Sequence, residues 1–464
     1  MALETDYLVI GAGMTGLAFV DELINHSDAH ITVVDKRDAP GGHWNDVYSF
    51  VNLHQPSVFY GVGSTELADY RIDTAGPNKG FLSLAKGPEI TAYCHAIMRD
   101  RLLPSGQVTY LPFTEFEPQG ALHSLLSGAR ETIKVRKKVV NAAHYTNVIP
   151  LTHTRKFKVD SNVTCVPPND LPRLATHFSH FTVLGAGKTA MDACLWLLTH
   201  GAPASAIRWI IPRDAWFVNR AKTQPGPEFF DEVFGNFADQ RQDLADATSA
   251  RDLAHRHEAS GTWLRLDRAI EPTMFHAAAM SEGELEKLRT ISDQVRLGRV
   301  HHITSSAIYL ERGEVPAVLG NLMIDCTASA VLPKPLQPVF AGDQITIQLL
   351  RFPFLPLSAA MIAFLEARFM DDDEKNKHST PIPIPDTVED YLRILKPDMD
   401  NRLHIARSPI LREWMSLSRL DGYSRIAAKV DKGDLKKLAI LHRGREANKT
   451  AYANLQNLLA ALPV

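Results

Sequence analysis

Short apolar runs that end in glycine-rich turns occur twice in this chain, and the first lies close to residue 1. Tyr7–Ile10 is an uninterrupted apolar run, which is typical of a strand buried on both faces of a parallel sheet. The turn after it carries glycines at the G-x-G-x-x-G spacing, and a helix is predicted to begin near Ala12. A second apolar run, Ile31–Val34, ends at Asp35. The pattern predicts a strand, a helix and a parallel strand at the start of an α/β sheet.

The three glycines of the first turn, Gly11, Gly13 and Gly16, have separate physical roles. Gly11 allows the tight turn, Gly13 lets a pyrophosphate approach the backbone, and Gly16 lets the helix pack closely on the strand. The free N–H groups at the start of the helix would then face the phosphates. Asp35 lies about 20 residues further on, where an acidic side chain holds an adenosine ribose hydroxyl. The stretch therefore predicts a dinucleotide-binding site.

The same pattern returns near the middle of the chain. A predicted strand, His180–Leu184, leads into a G-x-G-x-x-A turn, in which alanine still permits close helix packing. The turn is not a P-loop, because that motif needs a glycine where this chain has Thr182. We expect the second turn to bind a second dinucleotide through Gly185, Gly187, Lys188 and Thr189.

The strand after the second turn, Ile207–Ile211, ends in a basic residue, Arg213, where the first unit has an acid. A guanidinium at this strand end can pair bidentately with a ribose 2′-phosphate, so the second site is predicted to prefer NADPH to NADH. Arg208 and Arg220 are rival candidates for this role, and a surface ion pair between Arg213 and Asp214 is the alternative. The second strand of the first unit is followed by an acidic residue and that of the second unit by a basic one. Together they indicate that a single chain binds FAD and NADPH.

Composition narrows the class of protein. At 464 residues the chain exceeds what one hydrophobic core usually serves, and its 45% apolar and 22% charged residues are ordinary for a globular protein. The net charge of −3 gives no electrostatic attraction to nucleic acid or to anionic membranes, so neither is expected as a partner.

No apolar run reaches membrane-spanning length and no leader pattern precedes the first strand, so a cytoplasmic location is expected. The four cysteines include no C-x-x-C, and the histidines lack metal-ligand spacing, so no metal is expected and buried thiols are predicted.

The segment after Asp35 carries Gly41, Gly42 and Trp44, in which paired glycines permit close backbone approach and the indole offers a flat apolar wall. Together with the first glycine turn and Asp35, this segment resembles the FAD-binding start of the class B flavoprotein monooxygenases. The resemblance covers residues 7 to about 368, and its specific motifs are short islands. It implies an α/β fold with two doubly wound, Rossmann-like domains, the second inserted in the first.

The resemblance also implies roles for three residues beyond the glycine turns, and helix geometry suggests a fourth. In the family a tyrosine is followed by an asparagine that touches the flavin ring. Gln55 stands nearest that position and Asn52 is the other candidate, and either amide could donate a hydrogen bond. Asp343 follows a glycine as in FAD proteins whose carboxylate holds the ribityl chain. Ser358 is expected to open a helix, running to about Arg368, whose positive end would stabilise negative charge at the flavin. An ordinary loop and an ordinary core helix are the alternatives.

The implied reaction is that of an NADPH-consuming monooxygenase. NADPH reduces the flavin, and the reduced flavin and O₂ form a C4a-(hydro)peroxide that oxygenates a small organic substrate. The family's F-x-G-x-x-x-H linker is not intact in this chain, where Leu171–His177 precedes the second turn. An NAD(P)H-dependent flavoprotein reductase or dehydrogenase, and a non-catalytic protein that binds the cofactors, therefore stay open as alternatives.

The predicted organisation is two doubly wound α/β domains followed by a helical extension. Residues 1–170 and 336–386 are expected to form the FAD-binding domain, residues 171–335 the inserted NAD(P)H-binding domain, and residues 387–464 a helical C-terminal extension. Other elements are predicted as a helix at 88–103, strands at 107–112, 131–140, 300–303, 308–311 and 322–327, and a helix-rich polar stretch at 225–258.

Overall fold

The computed structural model describes residues 3–117, 120–145, 147–329 and 334–462. Its strands in chain order are β1 (Leu3–Ile10), β2 (Ile31–Val34), β3 (Val108–Leu111), β4 (Thr114–Glu117), β5 (Ala121–Ser124), β6 (Arg130–Asn141), β7 (Lys158–Val159), β8 (Cys165–Val166), β9 (His180–Leu184), β10 (Ile207–Ile210), β11 (Ala215–Asn219), β12 (Trp263–Arg265), β13 (Met274–Met280), β14 (Asp293–Val295), β15 (Val300–Ile303), β16 (Ala307–Leu310), β17 (Gly313–Pro316), β18 (Asn321–Asp325), β19 (Phe340–Ala341) and β20 (Gln344–Thr346).

The α-helices, again in chain order, are α1 (Met14–His26), α2 (Gly87–Ala96), α3 (Leu171–Leu174), α4 (Lys188–Thr199), α5 (Phe230–Asp246), α6 (Ala250–Ala259), α7 (Glu282–Arg289), α8 (Leu355–Arg368), α9 (Asp372–Lys377), α10 (Val388–Arg407), α11 (Pro409–Leu417), α12 (Ser424–Ala427) and α13 (Leu435–Ala460). None of the helices in these described ranges is long and apolar enough to cross a membrane.

The first sheet has the strand order β19-β20-β6-β1-β2-β3, with the β4–β5 hairpin attached to β6. The pairings β20–β6, β6–β1, β1–β2 and β2–β3 are parallel, whereas β19 is antiparallel to β20. Ile10 pairs with Val34 on one side and with Asn141 on the other, and Asn141 pairs with Thr346. The carboxyl ends of these strands therefore meet at one edge, where an open α/β sheet binds its ligand.

The second sheet has the order β14-β10-β9-β18-β8, and every pairing in it is parallel. Its strands lie between β6 and β19 in the sequence, and both of those belong to the first sheet. The predicted architecture of two doubly wound units, the second inserted in the first, is thus confirmed. The limits given above for the separate segments stay predictions.

Two smaller sheets were not predicted. Strands β12, β11 and β13 form one, and β17, β16, β15 and β7 form the other. The first lies in a separate hydrophobic core, in which Trp216, Trp263 and Phe275 contact residues of the C-terminal helices such as Tyr391 and Leu455. The helix-rich stretch predicted at 225–258 is present as α5 and α6, and it joins these strands to that core.

The C-terminal region is helical, as predicted, and it packs on both units. Helix α13 lies along α5 of the inserted unit, where Asn454 donates to the carbonyl of Leu244 at 2.9 Å. Helix α11 reaches the first unit, where Trp414 Nε1 donates to Glu22 Oε1 of α1 at 2.6 Å. The extension therefore holds the two units together.

Candidate functional site

The first glycine turn has the geometry that its spacing predicts. Gly11 has a φ of 106°, a conformation that favours glycine. A Cβ on Gly16 would lie 2.0 Å from the carbonyl oxygen of Gly11, so only glycine allows α1 to pack this closely. Helix α1 begins at Met14 with Gly13 as its N-cap, two residues later than predicted. The first turns of α1 therefore present their free N–H groups at the carboxyl edge of the first sheet.

The paired glycines pack directly on this turn. A Cβ on Gly42 would lie 3.1 Å from the Cα of Gly13, and Gly41 N–H donates to the carbonyl of Ala12 at 2.9 Å. Asp35 Oδ2 accepts from the N–H of Ala12 at 2.7 Å. The structure thus brings the glycines of the first turn, the paired glycines and Asp35 together in one place. The residues fit the group they were predicted to hold, because the close approach of backbone to ligand needs positions without side chains.

The second turn repeats this arrangement at the carboxyl end of β9. Gly185 has a φ of 120°, and a Cβ there would lie 2.6 Å from the carbonyl oxygen of Cys326. Gly187 is the N-cap of α4 and has a φ of −80°. Among the described residues, no heavy atom beyond its chain neighbours lies within 4 Å of the position of a Cβ on Gly187. The start of α4 is therefore open on the side where a pyrophosphate is predicted.

One cleft of about 550 Å³ is lined by residues of both units. Trp44 and Asn52 line it from the first unit, and Gly187 and Thr189 line it from the second. Trp44 is fixed by a hydrogen bond of 3.0 Å from its Nε1 to the hydroxyl of Tyr60. Of the two amide candidates, Asn52 lines this cleft and Gln55 is not among the residues that line it. Asn52 is therefore the one of the two that lies at the cleft.

A buried polar chain joins the two units at the wall of the cleft. Lys188 forms an ion pair with Asp192 one turn further along α4, and Tyr48 of the first unit donates to the other oxygen of Asp192 at 2.8 Å. Burial raises the pKa of Tyr48 well above its ordinary value, and the Asp192 carboxylate raises it further, so the phenol stays a donor. The Lys188 ammonium, predicted to contact the cofactor, is thus neutralised within the protein.

The predicted phosphate ligand, Arg213, lies at the cleft but is already paired. Its guanidinium donates to both oxygens of Asp386, at 2.8 and 2.7 Å, and these hydrogen bonds lower the pKa of that carboxyl. The alternative pairing with Asp214 is wrong, because Asp214 binds Arg296 at 2.9 Å. Arg213 is therefore paired within the protein, but with Asp386 and not with Asp214.

The rival arginines lie elsewhere. Arg208 pairs with Asp293 at 2.9 Å, and Arg220 is fully buried against Glu284 at 3.1 Å; neither is among the residues that line the cleft. An unpredicted residue, Arg299, does line it. Arg299 is exposed and follows β14, the strand next to β10, so it lies at the same sheet edge as Arg213. The short strand Asp293–Val295 gives no apolar run by which the sequence could have located it.

Two predicted flavin ligands need correction. Asp343 lies in an exposed turn at the amino end of β20, because β19 and β20 form a hairpin, and this is the sheet edge opposite to the glycine turn. Helix α8 begins at Leu355 rather than at Ser358. Ser358 is completely buried, and its hydroxyl accepts from the N–H of Leu350 at 3.0 Å and donates to the carbonyl of Phe354 at 2.8 Å. Its hydroxyl therefore stabilises a loop and does not face a ligand.

No group of three or more metal-ligating side chains is found within the described ranges of the chain. Three of the four cysteines, Cys94, Cys194 and Cys326, are buried free thiols, as predicted, and Cys165 is partly buried.

Comparison with known proteins gives three findings. Residues 9–63 match the model of a family described as an NAD(P)-binding Rossmann-like domain. Two mycobacterial relatives, the uncharacterized protein Rv2000 of Mycobacterium tuberculosis and the uncharacterized protein Mb2023 of Mycobacterium bovis, are each 42% identical over 419 residues, which cover 90% of this chain and 78% of the relative.

Solved structures also match. The open structure of cyclohexanone monooxygenase matches with a TM-score of 0.49 and 14% identity, over 79% of this chain and 87% of that one. A flavin-containing monooxygenase from Stenotrophomonas maltophilia matches with a TM-score of 0.42 and 13% identity, over 76% and 88% of the two chains. Both are monooxygenases, the kind of enzyme that the sequence motifs resemble.

Proposed function

The chain belongs to the protein family of its mycobacterial relatives, and we propose that it is an FAD-dependent, NADPH-consuming monooxygenase that acts on a small organic substrate in the cytoplasm. The observation that carries the proposal is the shared cleft. Trp44 and Asn52 of the first unit and Gly187 of the second line the same cavity, so groups held by the two glycine turns can meet there. A cleft of about 550 Å³ is also within the range of small-molecule sites.

Each part of the site has a task in this proposal. The turn at Gly13 and Gly42 would hold the pyrophosphate of FAD, and the open start of α4 at Gly187 would hold that of NADPH. When bound, FAD supplies hydride acceptance and the reaction with O₂. Asn52 would donate a hydrogen bond to the reacting group, and Trp44 would exclude water from that side. The chain of Lys188, Asp192 and Tyr48 would hold the two units at a fixed separation.

The test follows NADPH oxidation by the purified protein loaded with FAD. Without O₂, NADPH should bleach the visible flavin absorbance; with air, O₂ should be consumed and an oxygen atom should enter a product when a substrate is present. Bleaching followed by turnover only with an added electron acceptor would identify a reductase instead. Failure to bleach the flavin would leave cofactor binding without catalysis, and a protein that stays colourless in excess FAD would contradict the proposal altogether.

Replacing each of the two amide residues, Asn52 and Gln55, tests the proposed role of Asn52 in catalysis. Asn52→Ala is expected to lower kcat about 100-fold, the usual cost of removing one donor from a reacting centre, because Asn52 lines the cleft. Gln55→Ala, a matched loss of an amide outside the lining of the cleft, should change kcat less than about threefold. Equal losses in the two variants would show that the cleft does not mark the reacting centre.

The two arginines that line the cleft, Arg213 and Arg299, are expected to determine the choice between NADPH and NADH. Arg299→Ala is expected to raise KM for NADPH roughly tenfold or more, the worth of one hydrogen bond to a charged group, with little effect on KM for NADH. Arg213→Ala should have the smaller effect, because Asp386 already neutralises that guanidinium. Arg312, an exposed arginine that is not among the cleft residues, provides the control variant. A larger effect at Arg213 than at Arg299 would restore the assignment made from the sequence.

A further inference from the structure

The cleft between the glycine turns is lined by four side chains that are cations at neutral pH, namely Lys156, Lys188, Arg213 and Arg299. Two of them, Lys188 and Arg213, are paired with carboxylates of the protein. The other two, Lys156 and Arg299, are exposed. Within the described ranges of the chain, neither of these two side chains forms a hydrogen bond or an ion pair. Both are therefore available to a ligand without the loss of a protein contact.

The acidic side chains around the cleft leave these two charges uncompensated. Asp46 is the one carboxylate among the described residues that line the cleft, and Arg37 binds it at 2.8 Å. Glu311 lies beside Gly298, but it does not line the cleft and is not one of the described ion-pair partners of Arg299. Two cations without counter-ions create a positive potential in a cleft, and that potential favours an anionic ligand.

The strand pairing brings the two cations close together. Strand β7 is parallel to β15, and Lys158 is paired with His302. Two residues before this pair, the same register places Lys156 beside Val300 and therefore next to Arg299. Lys156 belongs to the segment that leads from β6 of the first sheet to β7, whereas Arg299 belongs to the inserted unit. A single group in the cleft can therefore contact both side chains.

The two cations lie where the adenosine end of a bound NADPH is predicted. In a unit of this kind the ribose 2′-phosphate is met at the end of the second strand, which is β10 here. Strand β14 pairs with β10, and Arg299 follows β14. Phe157 and Val300 also line the cleft and offer apolar surface to an adenine ring. The predicted pyrophosphate site at Gly187 lines the same cleft.

We propose that Lys156 and Arg299 together hold the 2′-phosphate of NADPH, so that the segment joining the two units contributes to the choice of cofactor. This inference rests on the proposed use of NADPH. A phosphate monoester carries a charge of about −1.5 to −2 at neutral pH, which two cations neutralise better than one. NADH has a hydroxyl group at this position and gains little from either charge.

The test is calorimetric titration of the full chain, with saturating FAD, by adenosine 2′,5′-bisphosphate and by 5′-AMP, which differ only in the 2′-phosphate. The bisphosphate is expected to bind about 100-fold more tightly, the difference expected from two contacts with charged groups. Lys156→Gln should weaken its binding about tenfold and leave 5′-AMP unchanged. Lys156→Arg, which keeps the charge, should retain most of the affinity. Lys156→Gln combined with Arg299→Gln should abolish the preference for the bisphosphate.

Lys158→Gln is the matched control, since Lys158 is an exposed lysine on the same segment that does not line the cleft. It should weaken binding of the bisphosphate less than about twofold, because solvent screens a charge outside the site. Thermal unfolding should show that each variant is folded. Equal binding of the two nucleotides by the unaltered protein, or equal effects of Lys156→Gln and Lys158→Gln, would overturn the inference.

Flavin reduction separates this inference from the proposed function. If NADPH bleaches the flavin but Lys156→Gln leaves the affinities unchanged, the assignment of the phosphate site is wrong and the proposed reaction stands. If binding of the bisphosphate depends on Lys156 but NADPH does not bleach the flavin, the phosphate site is supported and the proposed reaction is contradicted.

Discussion

Gly187→Ala is expected to weaken NADPH binding about 100-fold, or about 2.7 kcal/mol, while the fold and FAD binding stay unchanged. The φ of Gly187 is −80°, which alanine adopts without strain, and no described heavy atom beyond its chain neighbours lies within 4 Å of the added methyl group. The added methyl group therefore causes neither backbone strain nor a clash within the described part of the protein. The methyl group would instead occupy the space that a pyrophosphate needs at the start of α4. Titration of NADPH against the FAD-loaded protein measures the effect.

The first turn provides the reciprocal variant. In Gly13→Ala the new methyl group would lie 3.6 Å from the Cα of Gly42, which is an ordinary contact, so the chain should fold. FAD binding should be lost, because a side chain at this position keeps the pyrophosphate away from the backbone. Gly16→Ala differs, since its methyl group would lie 2.0 Å from a carbonyl oxygen and should prevent the folding of the first unit. Gly235→Ala, within helix α5, is the control and should affect neither cofactor. If Gly187→Ala bound NADPH normally, or if both cofactors were lost together, the second turn would not be the nicotinamide site.

The glycine turns could be predicted because their requirements are local. At Gly11 and Gly185 the backbone needs a positive φ, and at Gly16 the carbonyl of Gly11 leaves no space for a side chain. Both follow from a strand that turns at once into a helix, so a few residues of sequence contain the information. For the same reason the strands that flank each turn lie where the apolar runs predicted them, for example Ile31–Val34.

The residues that were wrongly assigned depend on contacts remote in sequence. Asp343 follows a glycine as the pattern requires, but Gly342 has a φ of 62° and reverses the chain before β20, which moves Asp343 to the wrong edge. Ser358 resembles a helix N-cap in sequence, yet its hydroxyl is used by Leu350, a partner on the preceding loop. Arg299 was missed because only the pairing of β14 with β10 brings it to the cleft. Local sequence does not encode these placements.

A large effect on stability is also expected at Glu284, which lies at the junction of the two units. Glu284 is buried and accepts a hydrogen bond from the fully buried Arg220 at 3.1 Å, and Arg220 also donates to the carbonyl of His54 at 3.0 Å. Glu284→Gln keeps the shape of the side chain but leaves the Arg220 charge without a counter-ion. Breaking a buried pair in this way is expected to lower the free energy of unfolding by about 3–5 kcal/mol. Glu282→Gln on the same helix removes a half-exposed partner of Arg289 and should cost less than about 1 kcal/mol.

The effect of Glu284→Gln should depend on pH in a direction that a loss of packing would not produce. Burial alone would raise the pKa of Glu284, but the Arg220 and Lys188 cations lower it from 4.5 to about 2. The unfolded chain therefore takes up this proton first as the pH falls. The stabilisation is fully present above about pH 4.5 and is lost as the pH falls towards about 2. Denaturant midpoints of the two proteins, measured at a series of pH values, should differ most near neutrality and converge in acid. A difference that stayed constant down to the lowest pH would mean that the carboxylate charge does not stabilise the junction.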